Sequence, residues 1–225
     1  RHRGLAGGNL RAAVFGINDG LVSNTSLIMG VAGAAAAPEI IVTAGVAGLL
    51  AGALSMASGE YVSVRSQREL YEYQIALERE ELEPYPDEEA EELALIYAAR
   101  GMDLSEARDW SQTLMRDAEL ALDVLAREEL GLDPDQLGSP VGAASFSFLA
   151  FSAGALVPLL PFVFAPHGAP LPLASALSGL SLFAVGASIS LFTGRAAFYG
   201  GVRMLLIGAG AGALTYAIGH LLGVG

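Results

Sequence analysis

Long apolar stretches, each near the length of a bilayer crossing, alternate along the chain with short breaks and one strongly polar interval. The first stretch runs from about Ala12 to Ala37 and ends at Pro38-Glu39; the second runs from about Ile40 to Ala57. So short a break predicts an antiparallel hairpin of two helices. Past Ala57 no helix breaker occurs before Pro84-Tyr85-Pro86. The second helix is therefore expected to leave the membrane and continue to Glu83 as a charged arm, stopped where proline removes a donor and clashes with the preceding turn. Asp87 suits the start of a helix over Glu88 to Arg100, with Gly101 as its stop. A further helix is expected from Asp103 or Ser105 to Leu130, ending at Gly131. Its Trp110, Leu114, Ala118, Ala121 and Leu125 recur at three- and four-residue spacing, which predicts an apolar face in a three-helix core. Asp133 to Pro140 reads as a linker. Three more spans follow, about Val141–Ala165, Leu171–Thr193 and Ala197–Leu222, each long enough to cross a bilayer.

The expected fold is an all-α membrane protein with five transmembrane helices and a three-helix acidic module between the second and third. Residues 1–60 hold the first two spans, 61–136 the module with the extension of the second helix, and 137–225 the last three spans. The first apolar run is too long for a cleavable signal and lacks a small-residue cleavage site.

Charge sharpens this division. The chain has 24 acidic residues and a formal net charge of −12, and only Asp19 and Glu39 among the acids lie outside Glu60–Asp135. An acidic module argues for cations and against nucleic acid as a partner. All 12 basic residues are arginines. They precede the first span (Arg1, Arg3, Arg11), lie between the second and third (Arg65 to Arg127), or lie between the fourth and fifth and at the near end of the fifth (Arg195, Arg203). The loops at Pro38-Glu39 and Pro166–Pro170 have none. Positive charge on alternate loops puts the N-terminus and the module in the cytoplasm and the C-terminus on the opposite face. With no cysteine, any metal must be held by oxygen, nitrogen or thioether ligands. Gly16/Gly20 and Gly48/Gly52, with Gly208, Gly210 and Gly212, predict close helix packing, within a protomer or between two.

Asp19 is the candidate with the most chemistry. A carboxylate inside an apolar span costs on the order of 2.5–3.5 kcal/mol at the centre of an isolated helix, and such groups mark ion or proton paths. The alternative is local capping, or pairing with Arg11 or Asn18. A helical wheel places Ser23, Ser26, Gly30 and Gly33 near its face. On the second span Gly52, Met56 and Glu60 share one face. Met56 brings a soft thioether suited to later transition metals, although a membrane methionine is more often packing. Glu60 is a candidate relay at the cytoplasmic end, or an interfacial charge.

In the module Glu78 and Glu81 are three residues apart before the proline turn, and Glu89 and Glu92 three apart after it. A turn there would bring the pairs face to face, and convergent carboxylates bind hard and borderline divalent ions. Glu128 and Glu129 would add oxygens. A solvated acidic surface is the alternative. His167 and His220 are isolated, and no catalytic triad, phosphate-binding loop or His-rich motif occurs, so nothing points to an enzyme. A carrier of organic cations would call for aromatic cages along the spans, and only Phe15 flanks Asp19.

Asp19-Gly20-Leu21-Val22-Ser23-Asn24, Met29-Gly30-Val31-Ala32-Gly33 and Ser55-Met56-Ala57-Ser58-Gly59-Glu60-Tyr61-Val62-Ser63-Val64 resemble the first- and second-helix signatures of the vacuolar iron transporter family, and the chain resembles a bacterial-type member. The resemblance implies a secondary transporter without a prosthetic group: a homodimer in a lipid bilayer, here a bacterial cell membrane, moving Fe²⁺, and often Mn²⁺, out of the cytoplasm in exchange for protons. It implies a path at Asp19 and Met56 between protomers and metal ligands at Glu78, Glu81, Glu89, Glu92 and Glu129. Leu125 and Ala126 stand where plant members have a methionine pair, and Gly48 where they have a glutamate, which bears on the choice of iron over manganese. A membrane-anchored metal-binding or sensing protein without transport is the rival reading; it leaves Asp19 unexplained.

Overall fold

A computed structural model describes residues 4–131, 138–165 and 168–223, with the side chains of residues 4–12 and of Phe192 outside the description. Arg1, Arg3, His167 and the linker residues from Asp133 to Leu137 therefore lie outside the described residues. Every regular element among the described residues is helical. The chain divides into two compact units, one formed by Arg1–Tyr61 with Val141–Gly225 and the other by Val62–Pro140.

The helices are α1 (Gly4–Gly33), α2 (Pro38–Leu82), α3 (Pro86–Ala99), α4 (Leu104–Leu114), α5 (Ala118–Glu128), α6 (Pro140–Leu156), α7 (Leu160–Phe164), α8 (Pro170–Phe192) and α9 (Ala197–Gly223), with a 3₁₀ turn at Val157–Leu159. The hairpin of α1 and α2 and the uninterrupted 45-residue α2 match the pattern of apolar positions and the absence of a breaker before Pro84. The link between them is short because Pro38, which has no N–H to leave unpaired, opens α2.

Among the described residues, four helices are long and apolar enough to cross a membrane: α2, the α6–α7 segment (Pro140–Phe164), α8 and α9. The chain is an integral membrane protein. α1 falls short of that apolar content, since Asn18, Asp19, Ser23 and Asn24 dilute it.

Two expected helices are broken. The stretch from Asp103 to Leu130 is not one helix: α4 stops at Leu114, and Asp117 caps a new helix, its carboxylate accepting from the Glu119 and Leu120 amides at 3.1 Å. The break redirects the apolar face. Leu114, Ala121 and Leu125 are buried as expected, but Trp110 is 50% exposed and Ala118 is exposed. The polar unit thus has three short helices beyond the α2 arm. The stretch from Val141 to Ala165 is interrupted by the 3₁₀ turn at Val157–Leu159, where Pro158 and Pro161 each lack the donor an α-helix needs.

Within the apolar unit α1 packs on α8 and α9, and α8 on α9. Ile28, Ile41, Leu49, Ala53, Phe151, Ala155, Leu159 and Phe162 form its core. Glycines make the close approaches. A methyl on Gly20 would run into the Phe151 carbonyl, and one on Gly154 into the Ile17 carbonyl, so α1 and α6 touch backbone to backbone. Gly208 likewise faces Leu182, whereas a methyl on Gly210 would meet nothing. In the polar unit Leu82, Leu93, Leu114, Ala121, Leu122 and Leu125 form a second, smaller core.

Candidate metal sites

The carboxylates of the polar unit are sorted by their distance from its core. Glu78, Glu89 and Glu129 each precede or follow a buried leucine by four residues, the spacing that stacks side chains on one helix face. Leu82, Leu93 and Leu125, at 8%, 0% and 0% exposure, belong to the same core. Packing those leucines together therefore brings the three glutamates together: one oxygen from each lies within 4.8 Å of the others. Glu78 is 5% and Glu89 6% exposed; Glu129, at the end of α5, is exposed.

Three carboxylates so close repel one another when ionised. Loss of hydration at Glu78, followed by the charges of Glu129, Glu89 and Glu81, pushes its carboxyl up to about 7. Burial first, then Glu129, Glu92 and Glu81, raises Glu89; burial and then Glu92 and Glu81 raise Glu129. Oε1 of Glu78 is buried without a hydrogen-bond donor. A divalent cation supplies what this group lacks, positive charge and a partner for an orphaned oxygen, and three carboxylates suit a hard or borderline ion.

The other glutamates read from the sequence are placed differently. Glu81 and Glu92 are exposed and act on the trio through their charge. Glu128, expected to add oxygens, instead pairs with the Arg100 guanidinium, so its carboxylate already has a cation.

In the apolar unit an open cleft of about 320 Å³ is lined by Asp19, Ser23, Asn24, Leu27, Gly48, Gly52, Ser55, Met56 and Phe151. Asp19 and Met56, chosen from separate helices, thus face one cavity. Gly48 and Gly52 form its α2 wall, and the Phe151 ring lies against Gly52. Asp19 is exposed and has no ion pair among the described residues; the Ser23 hydroxyl donates to its backbone carbonyl, not its carboxylate. The polar stripe predicted on α1 divides: Ser23 stays with Asp19, while Ser26 and Gly30 line a second, mostly apolar cavity with Thr215 and Gly219 of α9. Glu60 is half-buried one turn beyond Met56 and is not part of the cleft lining. His220 is exposed on α9.

Sequence reasoning missed Asn24 and Ser55. Asn24 is five residues from Asp19, off the four-residue ladder used to build the face, and its burial comes from a helix 131 residues away in the chain: its amide donates to the Ala155 carbonyl at 2.6 Å.

With this geometry in hand, comparison with known proteins is specific. Residues 10–220 match the VIT family. The chain is 32% identical over 218 residues to vacuolar iron transporter 1 of Arabidopsis thaliana, covering 96% of this chain and 87% of the relative. It is 38% identical over 231 residues to a vacuolar iron transporter of Acanthamoeba castellanii, covering 100% and 81%. Vacuolar iron transporter homolog 1 of Oryza sativa subsp. japonica is 35% identical over 216 residues, covering 96% and 74%. All three relatives are eukaryotic proteins, and none of them speaks for a bacterial membrane. A match that runs through both units, with Asp19, Met56 and the three clustered glutamates inside it, leaves no part of the architecture unaccounted for: the chain belongs to the VIT family.

Proposed function

We propose that this protein is a secondary transporter that carries Fe²⁺, and Mn²⁺ as a second cargo, across the membrane and out of the cytoplasm in exchange for protons. The observation that carries the reading is the cleft in the apolar unit, where the carboxylate of Asp19 and the thioether of Met56 converge. A carboxylate with a thioether favours borderline divalent ions over Mg²⁺ or Ca²⁺, which take oxygen ligands alone.

In this reading α1 is the fifth span, its shortfall in apolar content being the polar wall of the path. The arginine distribution puts the N-terminus and the polar unit in the cytoplasm. The trio Glu78, Glu89 and Glu129 gathers metal there, with Glu81 and Glu92 adding negative field. Glu60, between Met56 and the arm on the same helix, relays ions or protons. A carboxyl held near 7, as at Glu78, exchanges a proton for a metal ion at cytoplasmic pH with little cost in either direction.

The protein acts as a homodimer, with a second copy closing the open side of the cleft. Phe15, Leu50 and Leu54 are 58%, 48% and 58% exposed on the two helices that carry Asp19 and Met56. Metal-dependent uptake by reconstituted protein tests the function. Fe²⁺ accumulation driven by an acid interior is the expected result, and binding without flux would replace transport with sensing.

A further inference from the structure

Asn24 has an arrangement that helix packing alone does not require. It is 2% exposed. Only its amide nitrogen can donate to the Ala155 carbonyl, so the side-chain orientation is fixed and the oxygen Oδ1 points the other way. That oxygen is buried and has no donor. An unpartnered buried acceptor costs roughly 1–3 kcal/mol, and its presence calls for a reason.

The reason lies in where Oδ1 points. A Cβ on Gly48 would sit 3.0 Å from it, and Gly48, Asn24, Asp19 and Met56 all line the same cleft. One residue on, Thr25 bonds Ser178 of α8 at 3.1 Å, a polar tie between helices with both partners satisfied. α1 can therefore be tied to its neighbours without stranding an oxygen. At Asn24 the tie to α6 instead leaves a buried carbonyl oxygen without a donor, on a residue that lines the cleft together with the carboxylate and the thioether.

We propose that the Asn24 side-chain oxygen is a ligand for the divalent cation in the cleft, completing with Asp19 and Met56 a site of one anionic oxygen, one neutral oxygen and one sulfur. This rests on the transport reading above and adds a residue to it. A neutral carbonyl oxygen strengthens cation binding without adding a second negative charge. The ion can then be held and released with one carboxylate to protonate. The oxygen is buried in the metal-free protein, and glycine at position 48 leaves it without a Cβ pressed against it.

The test is the KM and kcat of Fe²⁺ and Mn²⁺ uptake by the full chain in proteoliposomes. The natural protein is compared with Asn24→Leu, Gly48→Ala and Thr25→Val. Asn24→Leu keeps the branched outline and removes the oxygen; Gly48→Ala keeps Asn24 and its bond to Ala155 but places a methyl against the oxygen, with the Leu27 side chain displaced to make room. Both are expected to raise KM for metal about tenfold or more, while Thr25→Val, which cuts only the tie to α8, stays within twofold. Unchanged KM in Asn24→Leu, or an equal rise in Thr25→Val, overturns the proposal. If Asn24→Leu does not fold, Gly48→Ala decides by comparison with Leu27→Ala, which alters the same leucine and puts nothing against the oxygen: a KM raised beyond that of Leu27→Ala supports the ligand role, and an equal or unchanged KM removes it. Absence of uptake by the natural protein overturns the transport reading itself, and the ligand role with it.

Discussion

Burial decides which of many acidic side chains is chemically distinct. Glu78 sits with Glu89 and Glu129, its carboxyl pushed up to about 7. Because that value lies above the unfolded one, the folded protein holds a proton that the unfolded chain releases. Its contribution to stability is full below about 4.5 and is lost as pH rises through 7. Metal-free protein is therefore expected to melt at lower temperature at pH 8 than at pH 5, and Glu78→Gln to remove most of that difference, roughly 2 kcal/mol at pH 8. Metal affinity has the opposite slope. Titrations at pH 6 and pH 8 are expected to show tighter binding at pH 8, with about one proton released per ion at pH 6 and far fewer at pH 8. Glu128→Gln, by contrast, breaks only a surface pair with Arg100, worth about 0–1 kcal/mol, and should leave metal affinity within twofold. The sequence showed that glutamates at 78, 81, 89 and 92 flank a proline turn. Only the neighbours Leu82, Leu93 and Leu125 tell which of them turn inward, because each inward glutamate shares a face with one of these core leucines.

At the scale of elements, the Pro84-Tyr85-Pro86 stop and the Asp103 start were easy to read, whereas the break at Pro158 and Pro161 and the capping Asp117 were not. Pro84 and Pro86 end the long helix where expected. The break between α4 and α5 contains neither proline nor glycine, only Met115, Arg116 and the capping Asp117. The apolar repeat across it stays near helical period, so periodicity alone joined the two helices and put Trp110 inside. Asp117→Ala removes an acceptor for two amides and is expected to cost about 1 kcal/mol, read as a lower melting temperature with transport KM unchanged. Glycine spacing foretold close packing without naming partners. The partners supply a clean contrast: Gly20→Ala drives a methyl into the Phe151 carbonyl, while Gly210→Ala meets open space. The first is expected to abolish recovery of monodisperse protein, and the second to leave yield and transport as they were.

For the whole molecule, the division of charge was legible because almost all the acids fall in one interval, and the two units follow it closely. Asp19 was legible as an anomaly in an apolar helix. Ser23, Gly52 and Met56 were legible beside it, whereas Asn24, Ser55 and Phe151 were not, since they enter the cleft through tertiary packing of α1, α2 and α6. The central claim is that metal crosses the membrane past Asp19. It is tested most directly by Fe²⁺ flux into proteoliposomes with an acid interior, comparing the natural protein with Asp19→Asn, which keeps size and removes charge. Passage through the cleft requires flux that depends on the pH gradient and falls at least tenfold in Asp19→Asn, with binding at the Glu78 trio retained. Full, gradient-driven Fe²⁺ flux through Asp19→Asn would contradict it.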